Sequence, residues 1–218
     1  MISDILPACV ASAEAFSDAA EHDLFPAELQ AIVTAMPKRR REFATVRACA
    51  RRALADLGEP PAAILPGPHR EPLWPIGVVG SMTHCAGYRA AAVGHASDLA
   101  AIGIDAEPHE PLPDGLLPFV AGAEEMRHLA GHKRARPEVH WETLAFSAKE
   151  AAYKAFFPLC NQWPGFKNVA VTFDYATNRF KAALPEIGSA EDDRALTPLT
   201  GQWQIRRNLI VTAAVVPV

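Results

Sequence analysis

The chain has 218 residues, 50% of them hydrophobic, which suits one domain or two small ones with a packed core. Its formal net charge of −4 argues against a nucleic-acid partner, because binding to a phosphate backbone needs a basic surface. We expect no membrane span, because the sequence has no ~20-residue apolar run, and no signal peptide, because it has no basic N-terminal stretch. The cysteines form no C-x-x-C pair, which fits a reducing cytoplasm.

The first predicted element is a long helix from Pro37 to Leu57, with apolar residues at helical spacing along one face. A glycine and two prolines follow it and predict its end. Arg40, Arg47 and Arg51 form a basic ridge on another side. Such ridges are most often simply solvated, so this spacing alone does not indicate a binding site. The loop 65–72 is rich in proline, and we expect it to be stiff and irregular.

Two short strands are predicted next, from Gly77 to Met82 and from Arg89 to Gly94, with a hairpin connection between them. The segment Gly80-Ser-Met-Thr-His84 combines hydroxyls, backbone amides and an imidazole, which are groups that can receive phosphate oxygens. No Walker motif or G-x-G-x-x-G is present, which disfavours ATPase and dinucleotide chemistry. Taken alone, His84 is more often a structural hydrogen-bonding group, and Ser81 lacks the G-x-S-x-G context of a nucleophile.

A third strand, from Ala101 to Glu107, places two carboxylates on one face. Asp105 and Glu107 are separated by one residue, so their Cα atoms lie about 6.6 Å apart on the same side of the strand. Carboxylates at this separation can both reach one hard cation. The strand therefore predicts half of a metal site.

The stretch that contains Glu150 predicts a second long helix, with an apolar stripe from Trp141 to Phe156. Glu150 lies almost opposite this stripe. Three aromatic residues and two lysines surround it on that side: Phe146, Tyr153, Phe157, Lys149 and Lys154. A purely solvated face would not carry three aromatics, so we expect this side to face a crevice. Taken alone, Glu150 and Lys154 are better explained as an ordinary i, i+4 helical pair.

The remaining segments predict one more helix and four strands. Residues 112–136 are expected to contain that helix and an exposed basic loop, His132–Arg136. The strands are rich in β-branched or alternating apolar residues and cover Val169–Asp174, Arg179–Leu184, Gly201–Arg206 and Leu209–Val216. A helix with three strands, followed by a helix with three or four strands, predicts two similar halves without a residue-level repeat.

Three segments together resemble the signature blocks of the Sfp-type 4'-phosphopantetheinyl transferases, in the family's order and at its spacing. They are Val79-Gly-Ser-Met-Thr-His-Cys-Ala-Gly-Tyr88, Gly103-Ile-Asp-Ala-Glu-Pro108 and Phe146-Ser-Ala-Lys-Glu-Ala-Ala-Tyr-Lys-Ala155. The segments Lys38–Arg47, Glu71–Pro75 and Trp163–Phe166 are similar to the branch of enterobactin-synthase and actinobacterial type II enzymes. The resemblance extends from Arg39 to Phe166.

The resemblance implies an α+β, sandwich-like fold with two pseudo-symmetric subdomains, each a small, mainly antiparallel sheet packed on a long helix. We expect the basic helix and the phosphate-contacting hairpin in residues 1–102, and the metal-binding acids and the Lys-Glu helix in residues 103–218. Coenzyme A would lie in the cleft between them. The implied reaction is Mg²⁺-dependent transfer of the 4'-phosphopantetheine arm of coenzyme A to a serine of acyl or peptidyl carrier proteins, with release of 3',5'-ADP. A monomer would suffice, since two fused halves complete the cleft.

The resemblance also implies the site residues. Asp105, Glu107 and Glu150 match the family's magnesium-binding acids, and Mn²⁺ is an alternative ion. Glu150 is the best match for a general base, with a metal-bound water or Lys154 as alternatives, so Glu150, Asp105 and Lys154 form the expected catalytic set. The residues expected to contact coenzyme A are Arg39, Arg47, His69, Arg70, Ser81, Thr83, His84, Lys149, Tyr153, Lys154, Trp163 and Phe166.

The chain departs from the family at Pro66, where relatives commonly carry a lysine. His69 or Arg70 would then take over the phosphate contact, and Glu71 would orient the loop. Two other functions stay open at this point: another Mg²⁺-dependent phosphotransferase or nucleotide hydrolase, and a non-catalytic coenzyme A-binding protein. Retention of all three acids disfavours the binder. Fatty acid, polyketide, nonribosomal peptide and siderophore biosynthesis are the pathways in which the carrier protein would act.

Overall fold

Two antiparallel sheets, each covered by one long helix, make up most of the fold. The computed structural model describes residues 1–18, 24–162, 165–184 and 198–218. The strands are β1 (Ala11–Ala15), β2 (Leu65–Pro66), β3 (Pro72–Leu73), β4 (Val78–Cys85), β5 (Tyr88–His95), β6 (Leu99–Pro108), β7 (Ala170–Asp174), β8 (Arg179–Ala183), β9 (Leu199–Arg206) and β10 (Leu209–Pro217). The α-helices are α1 (Pro26–Ala31), α2 (Pro37–Leu57), α3 (Leu117–Val120), α4 (Ala123–Ala135) and α5 (Trp141–Cys160). Short 3₁₀ helices cover Ile2–Ile5 and Phe166–Asn168.

The strand order defines two main sheets and one small ribbon. The first sheet has the order β1-β5-β4, the second has the order β6-β10-β9-β8-β7, and β2 pairs with β3. All of these pairings are antiparallel. The predicted α+β fold with mainly antiparallel sheets is therefore confirmed. The boundary predicted between residues 102 and 103 falls inside β6, which belongs entirely to the second sheet.

Helix α2 covers the first sheet with the apolar stripe that the sequence predicted. Ala50, Ala53 and Leu54 are buried in a common cluster with Ala91 and Val93 of β5. The helix ends where expected, because its last residue is followed by a glycine in the left-handed region, with φ 89°. This packing fixes the side of α2 that turns away from the core.

Helix α5 covers the second sheet at very short range. Its stripe, including Trp141 and Ala155, is buried with residues of β7–β10. Gly103 of β6 allows the close approach, since a Cβ at this position would lie 1.9 Å from the carbonyl oxygen of Ala151. The absence of a side chain at Gly103 therefore holds the acid-bearing strand directly against the helix that carries Glu150.

The two sheets meet along a seam between β4 and β6. Here the hydroxyls of two β4 residues accept backbone N–H groups of β6: Ser81 Oγ accepts from Ile104 at 3.0 Å, and Thr83 Oγ1 accepts from Ala106 at 3.1 Å. The predicted hairpin was wrong in its extent. Strand β4 continues to Cys85, so that only two residues connect it to β5 and Thr83 lies inside the strand.

Three further expectations need correction. The basic run His132–Arg136 is mostly the last turn of α4 instead of a loop, and Lys133 pairs with Glu142 at 2.9 Å. Strand β6 was expected to be the third strand of the first half, but it belongs to the second sheet. The third strand of the first sheet is β1, which was not predicted. Helix α1 was missed as well. Across the described ranges, no helix is long and apolar enough to cross a membrane.

Candidate active site

A cleft of about 900 Å³ opens between the two halves. Helix α2, residues 66–74 and strand β4 form one wall, while β6 and α5 form the other. This volume lies within the usual range of small-molecule sites. Twelve of the predicted site residues line the cleft: Arg39, Arg47, His69, Arg70, Ser81, Thr83, His84, Asp105, Glu107, Glu150, Tyr153 and Lys154.

Asp105 is the central acid of the cleft, and it is almost fully buried, with 5% of its side chain exposed. Its Oδ1 accepts hydrogen bonds from Lys154 Nζ at 2.7 Å and from Thr83 Oγ1 at 3.2 Å. Its Oδ2 is buried without a hydrogen-bond partner among the residues that the structure describes. An unpartnered carboxylate oxygen is costly to bury, so this atom is suited to a cation.

The other two acids have raised pKa values. Burial raises the pKa of Glu107 to about 7, and the neighbouring Asp105 and Glu150 add to this rise while Lys154 opposes it. Burial also raises the pKa of Glu150, with Lys154 opposing and Asp105 adding to the rise. The charge of Asp105 thus acts on both Glu107 and Glu150.

Lys154 is the cation that the structure places among these acids. Burial lowers its pKa, but the attraction of Asp105 and Glu150 outweighs this effect, so the net pKa of Lys154 is raised. Its Nζ also donates to the carbonyl oxygen of Ile104 at 3.1 Å. The lysine is therefore held as an ammonium group against β6, and it is a poor proton acceptor at neutral pH.

The acids predicted to bind the metal, Asp105, Glu107 and Glu150, do not form a ready-made metal site. Within the described part of the chain, no three His, Cys, Asp or Glu side chains form a ready group for enclosing a metal ion. The ammonium of Lys154 supplies the positive charge beside Asp105 instead. The donor set still fits Mg²⁺ chemically, since hard carboxylate oxygens are the ligands that this ion prefers and Asp105 Oδ2 has no other partner in the described ranges.

We call the part of the cleft that is lined by Arg39, Arg47 and His84 its cationic end. Arg39 Nη1 lies 2.5 Å from His84 Nε2, and both groups lie near Glu42 Oε2, at 3.7 and 3.6 Å. Burial and the charge of Arg39 lower the pKa of His84, although Glu42 opposes this effect. A neutral His84 that accepts from Arg39 fits this geometry. The sequence reading missed Glu42, whose i, i+3 spacing from Arg39 was the available signal.

The predicted basic ridge of α2 divides into residues with different roles. Arg47 is buried, with its guanidinium 3.3 Å from the ring centroid of Phe43 and its Nε donating to the carbonyl oxygen of Ile64. Burial lowers the pKa of Arg47 to about 10, so the group stays charged at neutral pH. Arg51 instead pairs with the fully buried Glu28 at 3.0 Å.

The loop between β2 and β3 borders the same end of the cleft. The carboxylate of Glu71 accepts the backbone N–H of His69 at 2.8 Å, which supports its expected role in orienting the loop. The ring of His69 lies edge-on to Phe157 of α5, with centroids 5.2 Å apart. Arg70 is exposed and has a left-handed backbone with φ 70°. Pro66, where the family resemblance led us to expect a lysine, also lines the cleft.

Two predicted coenzyme A contacts do not line the cleft. Lys149 is fully buried, and its Nζ bonds Glu125, the carbonyl oxygen of Val120 and that of Phe166 instead of facing the cleft. The expectation that Lys149 lies beside phosphates was therefore wrong in its geometry. Phe166 packs against the cleft residue Phe146, with ring centroids 5.8 Å apart, and does not itself line the cleft. Trp163 lies outside the described residues.

Comparison with known proteins identifies the family. The chain matches the 4'-phosphopantetheinyl transferase N-terminal domain over residues 27–94 and the 4'-phosphopantetheinyl transferase superfamily over residues 101–205. It is 46% identical over 219 residues to 4'-phosphopantetheinyl transferase Svp of Streptomyces mobaraensis. This alignment covers 99% of this chain and 89% of the relative.

Two further relatives support this match. The chain is 44% identical over 224 residues to 4'-phosphopantetheinyl transferase PptT of Mycobacterium tuberculosis, covering 99% of this chain and 97% of the relative. It is 32% identical over 179 residues to enterobactin synthase component D of Salmonella typhimurium, covering 80% and 71% respectively. The similarity thus includes both walls of the cleft. The chain belongs to the 4'-phosphopantetheinyl transferase superfamily, and it is an enzyme that transfers phosphopantetheine from coenzyme A to carrier proteins.

Proposed function

We propose that the transfer takes place at the acidic end of the cleft, which is lined by Asp105, Glu107 and Glu150. The cationic end binds the nucleotide part of coenzyme A. The observation that carries this assignment is the placement of Asp105, Glu107, Glu150 and Lys154 in the same cleft as Arg39, Arg47 and His84. Coenzyme A carries a pyrophosphate and a 3'-phosphate, so its binding requires cations. The transfer also requires a group that removes the proton from the attacking hydroxyl.

The reaction needs no nucleophile on this chain. The hydroxyl oxygen of a carrier-protein serine forms a bond to the phosphorus of coenzyme A that bears pantetheine. The bond from this phosphorus to the bridging oxygen breaks, and 3',5'-ADP leaves with the bonding electrons. The serine proton passes to Glu150, the general base. Glu150 lines the same cleft as Asp105 and Lys154, which supports this role because a general base must lie within reach of the attacking hydroxyl.

Lys154 acts as a fixed cation in this scheme and not as the base. Its raised pKa keeps it protonated, and its ammonium stays beside Asp105 as negative charge shifts toward the leaving group. Asp105, Glu107 and Glu150 would hold a Mg²⁺ or Mn²⁺ ion. Such an ion supplies charge neutralisation at phosphate oxygens when it is bound.

The cationic end binds the nucleotide phosphates. Arg39 and His84 stand at the cleft surface, and Arg47 lies deeper, with its charge retained. His69 and Arg70 take the place of the family's loop lysine. Two hydroxyls of the seam, Ser81 and Thr83, already have partners in β6, so we assign them to shaping the cleft between β4 and α5. Tyr153 lines the same cleft and packs on Phe157, with centroids 5.5 Å apart.

The carrier proteins proposed as partners are acyl or peptidyl carriers of fatty acid, polyketide, nonribosomal peptide or siderophore synthesis. The relative from Salmonella is named for enterobactin synthase, which supports the last of these pathways for a member of this family. We propose that the protein is cytoplasmic. We also propose that it is a monomer, because both walls of the cleft come from one chain. Size-exclusion chromatography with light scattering tests the monomer directly.

Intact-mass spectrometry of apo-carrier proteins tests the assignment of the site. With coenzyme A and Mg²⁺, the wild type should add the mass of one phosphopantetheine to a carrier. Asp105→Asn, Glu150→Gln and Lys154→Met should each lower the rate by about 100-fold or more, since each removes charge at the reacting groups. Glu138→Gln, at an exposed acid, is the matched control. Full activity of Glu150→Gln would contradict its role as base, and full activity in EDTA would contradict the metal.

A further inference from the structure

All three N–H donors of the buried Lys149 ammonium are bonded near the cleft, and the proposed reaction does not use this charge. Its side chain is fully buried, and its Nζ donates to Glu125 Oε2 at 2.6 Å, to the carbonyl oxygen of Val120 at 2.7 Å and to that of Phe166 at 2.9 Å. An ammonium group has three N–H donors. Each of them is therefore taken by a different segment of the chain.

Glu125 extends the same connection. While its Oε2 pairs with Lys149, its Oε1 accepts the backbone N–H of Val171 at 3.0 Å. The pair thus joins the end of α3, the first turn of α4, the 3₁₀ helix at Phe166–Asn168 and the start of β7 to a single point on α5. Breaking one partner of such a buried pair is costly, because the other charge is left without compensation.

This point on α5 lies directly beside the reacting end of the cleft. Lys149 precedes Glu150 in the sequence, and Phe166, whose carbonyl oxygen it binds, packs its ring on Phe146 in the cleft wall. The proposed phosphate-binding groups Arg39 and His84 lie instead on the other half of the molecule. A change at Lys149 should therefore affect the wall near Glu150 and leave the nucleotide grip unchanged.

We propose that Lys149 is a positioning residue: its ammonium holds the Val120 and Phe166 carbonyls against α5. It thereby sets the cleft wall at Phe146, the residue on which Phe166 packs, beside Glu150. The wall orients the pantetheine arm and the incoming serine for transfer. This inference deepens and rests on the proposed function of the cleft. It replaces the phosphate contact that the sequence had suggested for Lys149.

A set of variants separates positioning from mere stability. Lys149→Met leaves Glu125 unpaired and should lower both the melting temperature and the turnover rate. Lys149→Met combined with Glu125→Leu removes both charges, so it should recover most of the stability, as apolar replacements of buried ion pairs commonly do. The two carbonyls and the backbone N–H of Val171 lose these side-chain partners in the double variant. Its turnover should therefore remain about 10- to 100-fold below wild type, as expected for misplaced reacting groups.

Coenzyme A affinity, measured by isothermal titration calorimetry, should stay within about twofold of wild type in both variants, because no phosphate contact is lost. Phe166→Leu keeps the ion pair and tests the same wall independently, so it should also lower turnover with unchanged coenzyme A affinity. Recovery of turnover together with stability in the double variant, or wild-type turnover in Phe166→Leu, would overturn the inference. Loss of coenzyme A binding in Lys149→Met would overturn it in favour of a phosphate contact. Failure of the proposed function would be seen separately, as undiminished turnover in Glu150→Gln.

Discussion

Replacing Glu107 by glutamine is expected to stabilise the metal-free protein at alkaline pH. Burial and neighbouring acids raise the pKa of Glu107 from 4.5 to about 7, so the folded state retains this proton after the unfolded state has lost it. The free energy of unfolding therefore falls as the pH rises from about 4.5 to about 7. At ~1.4 kcal/mol per unit of difference in pKa between the folded and unfolded states, the unfolding free energy above pH 7 is lower by about 3 kcal/mol than at acidic pH. Glutamine cannot ionise and avoids this loss.

Urea unfolding in EDTA at pH 5 and pH 8 measures the effect. We expect Glu107→Gln to exceed the wild type by less than about 1 kcal/mol at pH 5 and by about 3 kcal/mol at pH 8. Mg²⁺ should stabilise the wild type more than the variant at pH 8, because a bound cation favours the ionised carboxylate. Glu138→Gln, on the exposed surface, controls for the loss of one charge. An equal difference at both pH values would refute the electrostatic origin of the effect.

Three further substitutions test the packing around the cleft. Gly103→Ala should destabilise the protein by about 3 kcal/mol and abolish transfer, because the new Cβ would clash with the Ala151 carbonyl and push α5 from β6. Glu28→Ala should cost about 3 to 5 kcal/mol by urea unfolding, since Arg51 and two backbone N–H groups lose a buried partner. Thr83→Val should cost about 1 to 3 kcal/mol, because it leaves a buried N–H of β6 without an acceptor.

Each of these substitutions has a control elsewhere in the fold. Gly131→Ala has room for its Cβ in α4 and should stabilise by about 0.5 to 1 kcal/mol. Arg206→Ala breaks only an exposed pair with Asp4 and should change stability by less than about 1 kcal/mol. Thr172→Val alters an exposed strand position and should be nearly neutral. A test variant that unfolds at the same urea concentration as its control would contradict the contact from which it was derived.

The sequence predicted the elements whose signal extends over several turns or several alternations. Helix α2 and the stripe of α5 followed from apolar periodicity, and the four C-terminal strands deviate by at most a few residues from their predicted ends. Strand β6 was found because Asp105 and Glu107 alternate with apolar residues. The first strand, Ala11–Ala15, was missed because its alanines, serine and glutamate give little hydrophobic contrast.

The errors in the site have a common physical cause, which is tertiary contact between distant segments. Thr83 was read as part of a connection because it is polar, whereas its hydroxyl is needed inside β4 to satisfy a neighbouring sheet. Lys149 was read as cleft-facing because it adjoins Glu150. Its buried partner Glu125 lies 24 positions away along the chain, and no local pattern indicates that pairing. Local periodicity thus placed the three acids on β6 and α5, which line one cleft, but it could not assign every neighbouring charge.

The seam between β4 and β6 has a consequence for how the cleft width is determined. In an uninterrupted sheet, backbone hydrogen bonding would fix the spacing of these two strands at ~4.8 Å. Here Ser81 and Thr83 supply the acceptors from their side chains, so the separation of the halves depends on the length of two short side chains. Evolution can therefore adjust the distance between the proposed nucleotide-binding groups and the carboxylates by single replacements along one strand, without redesigning either sheet.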